Sequence, residues 1–372
     1  MSVRSFQGAW KIATIMGIPI RVHFSWLIVF GLITWSLSTF YFPEAAPDLP
    51  TASYWIKGVL AALLLFASVT FHELAHSFVA IRYGISIDSI TLFVFGGVAQ
   101  MKAEPPHPKA EFRIAIAGPL SSLFLAVLFF IVSVATVGGV KALSFYLAKI
   151  NLIISLFNLI PGFPMDGGRI LRSAIWHKTS NFFRATQAAS STGRKIALFF
   201  IFFGIFSLFT RIPGGLWLIL IGWFLYSAAQ TSYQQSALLE ALSGVKVEDV
   251  MVKDVVIIDP HMSVDETING YFLRYGYGGF PVIEGDKLLG VVTLKEMMCV
   301  PRKDWNSVKI SDIVPSYAAR LTVFPKESAA KALEMMVTED KGRLVVMNEG
   351  KMVGLITRNG VARYIKIKKE LS

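Results

Sequence analysis

For most of the first 230 residues the apolar positions run together instead of alternating. Six stretches stand out, roughly 23–42, 56–82, 114–138, 142–160, 196–210 and 215–230. A helix needs about 20 apolar residues to cross a bilayer, so the first four predict spanning helices. The last two read as a helical hairpin turning at Pro213-Gly214-Gly215, with Arg194, Lys195 and Arg211 placed to snorkel at the ends of the shorter one. Between the second and third stretches, residues 85–99 (ISIDSITLFVFGGVA) start with alternation, are rich in β-branched and aromatic residues and break at a Gly-Gly pair. That pattern predicts a strand or hairpin. It is too apolar for a solvated loop, so it is expected at the membrane edge, covered by protein.

From about residue 245 the pattern becomes that of a soluble α/β protein, repeated at about 64 residues. Pro260-His261-Met262-Ser263-Val264 corresponds to Pro325-Lys326-Glu327-Ser328-Ala329, and Leu289-Gly290-Val291-Val292-Thr293 to Val353-Gly354-Leu355-Ile356-Thr357. Each unit reads strand, helix, strand, strand, helix. The expected fold class is therefore a polytopic α-helical membrane protein with about six transmembrane helices and a small β segment, followed by an α/β tandem repeat. The expected divisions are a membrane-embedded domain at 1–235, a linker at 236–245 and repeats at 246–303 and 304–368.

Composition sharpens this. Hydrophobic residues make up 54% of the chain and charged residues only 16%, against about 25% in a soluble domain. The net charge of +11 reads as topology, because cytoplasmic loops collect Lys and Arg. Arg4, Lys11 and Arg21 precede the first stretch; Arg82, Lys102, Lys109 and Arg113 follow the second; Arg169, Arg172, Lys178, Arg184, Arg194 and Lys195 lie between the fourth and fifth. The opposite side has Lys57, Lys141 and Arg211, with Lys149 inside a span. Both termini and the repeats are expected in the cytoplasm. No basic stretch is interleaved with aromatics, so nucleic acid is not expected as a partner. The single cysteine, Cys299, excludes an internal disulfide and fits a reducing compartment. No small-residue cleavage site follows the first apolar run, so a signal peptide is not expected.

The chemistry concentrates in two places. Residues 72–76 read His72-Glu73-Leu74-Ala75-His76, inside an otherwise apolar helix. Two His four apart project from one helix face and can grip one metal ion. Glu73 beside them can act as general base. A buried polar cluster that fixes helix packing is the alternative, but a metal explains all three residues together. A catalytic zinc needs a third protein ligand. His23, His107, His177 and His261 are poorly placed; Asp166 is better, in the stretch Asn158 to Gly168 (NLIPGFPMDGG), where Pro161, Pro164 and three glycines break the helix. Asp166 is expected on irregular backbone that bends toward the two His.

His72–His76 in an apolar helix, followed by Asn158, Pro161, Pro164 and Asp166-Gly167, resembles the site-2 protease family of intramembrane zinc metalloproteases, peptidase family M50, over roughly residues 15–230. The resemblance implies one catalytic Zn2+ on His72, His76 and Asp166, Glu73 as base, and Asn158 as a holder of substrate or oxyanion. Gly118 and Pro119 resemble a recurring element for close helix packing. It also implies hydrolysis within or near transmembrane segments of membrane-tethered substrates such as regulators, in a prokaryotic cell membrane. The hairpin residues Phe95, Gly96 and Gly97 are candidates to position an unwound substrate by strand addition.

The C-terminal repeats resemble a tandem pair of CBS repeats. That implies modulation of the protease and an ATP- or AMP-type nucleotide site involving Thr293, Glu296 and Thr357. The acidic position after the second Thr is Gly360, which departs from the pattern. A homodimer through the repeats is the alternative role. A CBS-regulated transporter or channel, and an inactive substrate-binding relative, are the rival functions. The first predicts ionisable residues spread along several spans, whereas they cluster at the two motifs; the second predicts lost catalytic residues, whereas all are present.

Overall fold

The structure, a computed structural model, describes residues 8–94, 96–210, 214–285, 287–315, 322–339 and 341–370. The chain divides into two units, the first ending at Ala237 and the second beginning at Leu238.

The first unit opens with a hairpin, β1 (Trp10–Ile15) and β2 (Ile18–Val22), turning at Met16-Gly17 with positive φ at both residues. Helix α1 (Phe24–Ala45) and the 32-residue α2 (Thr51–Arg82) follow. Then come β3 (Ile87–Phe93) and β4 (Gly96–Met101), the hairpin expected from the Gly-Gly break. The four strands form one sheet in the order β1-β2-β3-β4, with β2 and β3 parallel (Ile20↔Ile90, Val22↔Leu92). The N-terminal strands were not expected from the apolar pattern. Each strand is too short to stand out among the long apolar runs, but Ile18 and Ile20 are buried with Ile90 against Leu74 of α2. The sheet thus seats on the helix that carries the two His, and among the described residues β4 has a strand neighbour on one side only.

Helices α3 (Pro108–Ala135) and α4 (Gly138–Asn158) form a tight antiparallel pair. His107 is the N-cap of α3, its Nδ1 accepting from Ala110 N at 3.1 Å, with Pro108 as first helical residue. It is a capping group, as its place between two prolines did not reveal. After a turn, α5 (Asp166–Thr179) begins, then α6 (Phe182–Phe209), capped by the Asn181 side chain, and α7 (Gly215–Ala241). Sequence pattern gave a basic connection from about 160 to 196. It is instead mostly helix: α5 carries Arg169, Arg172 and His177, and Arg184, Arg194 and Lys195 belong to α6. The basic residues break up the continuous apolar run by which a span is recognised.

Five helices among the described residues are long and apolar enough to cross a membrane: α1, α2, α3, α4 and α6. Helix α7 is outside that set because its apolar N-terminal half gives way to polar residues from Gln230. The predicted turn residue Pro213 lies outside the described residues.

In the second unit, β5 (Gly279–Glu284) pairs with β6 (Lys287–Thr293), followed by α8 (Leu294–Met298). Then β7 (Thr322–Val323), α9 (Ala329–Thr338), β8 (Arg343–Asn348), β9 (Lys351–Thr357) and α10 (Arg358–Glu370) follow, with sheet order β7-β8-β9. Two cores form, one around Phe280 and Val292, the other around Leu344 and Ile356. The segments ahead of the repeats are exchanged. Val245 and Val247 join the second core, while Ile310 joins the first. The repeats therefore interleave.

Candidate metal centre

Helix α2 places His72 and His76 on one face, and their Nε2 atoms stand 3.1 Å apart. Asp166 Oδ2 lies 3.2 Å from His72 Nε2 and 3.1 Å from His76 Nε2. The three donors make a nearly equilateral triangle. Tetrahedral ligands about 2.0–2.1 Å from one zinc stand roughly 3.3 Å apart, so the triangle has the size of three corners of such a site. Among the described residues this is the one His/Cys/Asp/Glu group with metal-ligand spacing.

The far nitrogens are held as well. His76 Nδ1 donates to Ile114 O at 2.7 Å, and His72 Nδ1 lies 2.9 Å from Ser122 Oγ. A carbonyl only accepts, so His76 carries its proton on Nδ1 and turns the Nε2 lone pair to the centre of the triangle. Both partners come from α3. Ser122 lies four residues after Gly118, one turn further along α3.

Gly118 explains how α3 comes so close. A Cβ there would stand 2.1 Å from His76 Nε2 and 2.5 Å from His72 Nε2. Gly118→Ala therefore displaces both metal-facing nitrogens, although alanine favours the helix by about 1 kcal/mol. We expect this variant to lose at least tenfold in zinc affinity, on the scale of outer-shell substitutions, while the metal-free protein stays folded and loses no more than about 1–3 kcal/mol to the overpacking. Metal competition and thermal unfolding check the two halves.

Asp166 is the first residue of α5 and not part of the irregular run itself; residues 159–165 make the turn and Met165 is the N-cap. A carboxylate there also meets the positive end of the helix dipole. Gly167 and Gly168 allow the turn to fold back, since a Cβ on either would lie 2.4 Å from backbone atoms of residues 159–163.

A buried charge pair fixes α5 against α3. Glu111 is 0% exposed and Arg172 6%. Arg172 Nε donates to Glu111 Oε1 at 2.6 Å, its Nη2 reaches Glu104 at 3.2 Å, and its guanidinium covers the Phe182 ring at 4.5 Å. Six residues separate this clamp from Asp166, so it sets where α5 begins. Glu111→Ala leaves the buried guanidinium with only the exposed Glu104 as a charged partner and is expected to destabilise the protein by about 3 kcal/mol, whereas a Glu111→Leu/Arg172→Met pair costs less. Unfolding of the detergent-solubilised variants distinguishes the two.

Glu73 follows His72 on the same helix turn, and its Oε2 accepts from Ala99 N of β4 at 3.2 Å. Gly97 permits this approach, because a Cβ there would meet Glu73 Cγ at 2.7 Å. A cavity of about 400 Å³ is lined by His72, Glu73, Gly96, Gly97, Asn158 and Asp166 among others. Asn158 Nδ2 donates to Ile154 O at 3.0 Å, one turn back in α4. Thus the structure brings together seven of the candidates: His72, His76, Asp166, Glu73, Asn158, Gly96 and Gly97. Phe95 lies outside the described residues.

The second-unit candidates have local roles. Thr293 caps α8, and Glu296 Oε2 accepts from Thr293 N at 2.9 Å and from its hydroxyl, forming a capping box. Thr357 Oγ1 accepts from Gly360 N at 3.0 Å.

Residues 60–139 and 133–203 match the model of Peptidase family M50, and residues 247–301 and 310–367 match the CBS domain. A relative from Mycobacterium tuberculosis, Rip3, is 34% identical over 97% of this chain and 94% of its own length. Zinc metalloprotease MJ0392 of Methanocaldococcus jannaschii is 33% identical over 97% of this chain and 98% of its own. The solved site-2 protease from the same organism is 36% identical, covers 60% of this chain and 95% of that one, and superposes with a TM-score of 0.44.

Proposed function

The chain belongs to peptidase family M50 and is a zinc metalloprotease of the site-2 type with two CBS domains; from that premise we propose that it cuts membrane-tethered proteins within or near their transmembrane segments. The observation that carries this reading is the triangle of His72, His76 and Asp166 donors, 3.1–3.2 Å on edge, opening on the cavity that Glu73 also lines.

A zinc ion held by these three donors supplies Lewis acidity, the property that acidifies water and polarises a carbonyl. The chain's own residues do the rest. Glu73 takes a proton from the attacking water and returns it to the leaving amide nitrogen. Asn158 turns its amide from Ile154 O to the carbonyl oxygen of the cut bond, where negative charge develops. A transmembrane helix hides its peptide bonds in its own hydrogen bonds, so the substrate must unwind first. Strand β4, open on one side, gives the unwound segment a backbone partner beside Glu73, with Gly96 and Gly97 leaving room for it.

The protein is multi-pass, with both termini and the CBS repeats in the cytoplasm once α7 is counted as a sixth span. Cys299, the chain's one cysteine, is exposed. A membrane-impermeant maleimide is expected to label it only after the cells are opened; labelling of intact cells reverses the topology. The CBS unit modulates cleavage. Glu296 is committed to its capping box and Gly360 has no side chain, so the residues favour docking or pairing of chains through the repeats over binding of an ATP- or AMP-type nucleotide.

The direct test reconstitutes the full chain with single-span candidate substrates and maps the products by mass spectrometry. The reading requires new termini inside or beside the span. Cuts confined to soluble loops contradict it.

A further inference from the structure

Lys149 is the anomaly of the membrane unit. It lies on α4, eleven residues from Gly138 and nine from Asn158. At about 1.5 Å per residue it is some 13–16 Å from either end. A side chain of four methylenes reaches well short of that. It is exposed and has no hydrogen bond or ion pair among the described residues. Lys141, exposed one turn into α4, marks the polar boundary at that end and lies eight residues, about 12 Å, from Lys149. An unpaired cation at this depth costs several kcal/mol and marks a functional contact.

Its surroundings have the shape of a helix seat. Lys149 borders a groove of about 320 Å³ between α3 and α4, whose other walls include Ala126, Phe130, Ala148 and Leu152. Ala126 and Ala148 are buried there. Small residues in such a trough let a second helix approach closely, the usual basis of helix association in lipid.

We propose that this groove receives a transmembrane helix of another protein that carries an Asp or Glu at the depth of Lys149. Charge complementarity selects that occupant. A lipid phosphate stays at the interface, beyond the reach of the ammonium group. A second copy of this chain lacks the group: acidic residues in its five candidate spans are Glu44, Glu73 and Glu111 only, and α7 adds only Glu240, one residue from its end. Glu111 is bonded to Arg172, Glu73 faces the cavity, and Glu44 is one residue from the end of α1. The groove is separate from the metal centre, so the inference stands on the membrane embedding and not on the catalytic reading.

The test uses the full chain in phosphatidylcholine vesicles and synthetic single-span Leu/Ala helices with Glu or Gln at their centre, read by energy transfer. The Glu helix is expected to associate several-fold more tightly than the Gln helix, up to roughly tenfold. Lys149→Leu should abolish that preference, and Lys149→Glu should transfer it to a helix with central Lys. Circular dichroism of each variant confirms that it is folded. Equal binding of both helices to the wild type, or a preference that survives Lys149→Leu, overturns the proposal. So does loss of self-association in Lys149→Leu with probe binding intact, which makes the groove an interface between copies. A signal that follows the fraction of anionic lipid and not the probe's Glu also overturns it.

Discussion

Replacing Glu73 by Gln is expected to lower kcat/KM for a transmembrane substrate by about 10²–10⁴, the range that a positioned general base supplies, while zinc content is unchanged. The substitution keeps shape and can keep the bond that Ala99 N makes to the side-chain oxygen at 3.2 Å. It also keeps the packing of Gly97 on the side chain, where there is no room for a further carbon. What it removes is the ability to take a proton. Glu73 is not a corner of the donor triangle, so the metal should stay. Single-turnover cleavage assays with parallel metal analysis check both statements. A variant that loses its zinc would make Glu73 a ligand instead of a base.

Asp166→Ala is expected to have the opposite signature: metal and activity fall together. The carboxylate supplies one of three protein donors, and it is the donor that brings negative charge to two neutral imidazoles. Affinity should fall by more than the roughly 10–100-fold that loss of an outer-shell partner costs. Competition with a chromogenic chelator measures it. The two imidazoles come from one helix and remain as a weaker pair, so residual binding at high zinc is expected. The contrast with Gly118→Ala is informative, because that change removes no donor and acts only by displacing two of them.

The donors themselves were legible in the sequence, and the reason is physical. His72 and His76 are polar residues in a helix that lipid would otherwise keep apolar, so they stand out against it. Asp166 follows two prolines and precedes two glycines, which marks a break in the chain. What surrounds the donors was not legible. Ile114 contributes a backbone carbonyl, which any residue carries, and Ser122 is one of many serines in the spans. The Glu111–Arg172 clamp joins residues 61 apart, and each alone reads as an interfacial charge. Helix α5 was hidden because its fully buried positions are Gly167, Gly168, Arg172 and Ser173 and its basic residues interrupt any run of apolar residues long enough to read as a span. Strands β1 and β2 were hidden for a related reason. The partner that ties β2 into the sheet, β3, is some 70 residues away, and β1, paired to β2 alone among the described residues, is exposed throughout. In the CBS unit the repeat was visible at its period of about 64 residues, but the exchange of Val247 and Ile310 between cores was not, since an apolar residue does not say which core it will join.

The most direct measurement is back-titration. The purified protein is stripped with a chelator, and zinc is returned in steps while cleavage of a single-span substrate is followed. Activity should vanish on stripping and rise in proportion to zinc until one equivalent per chain is bound, with no such rise in Asp166→Ala over the same range. Full cleavage by the stripped protein, or saturation without any bound zinc, would contradict the assignment of His72, His76 and Asp166 as one metal centre.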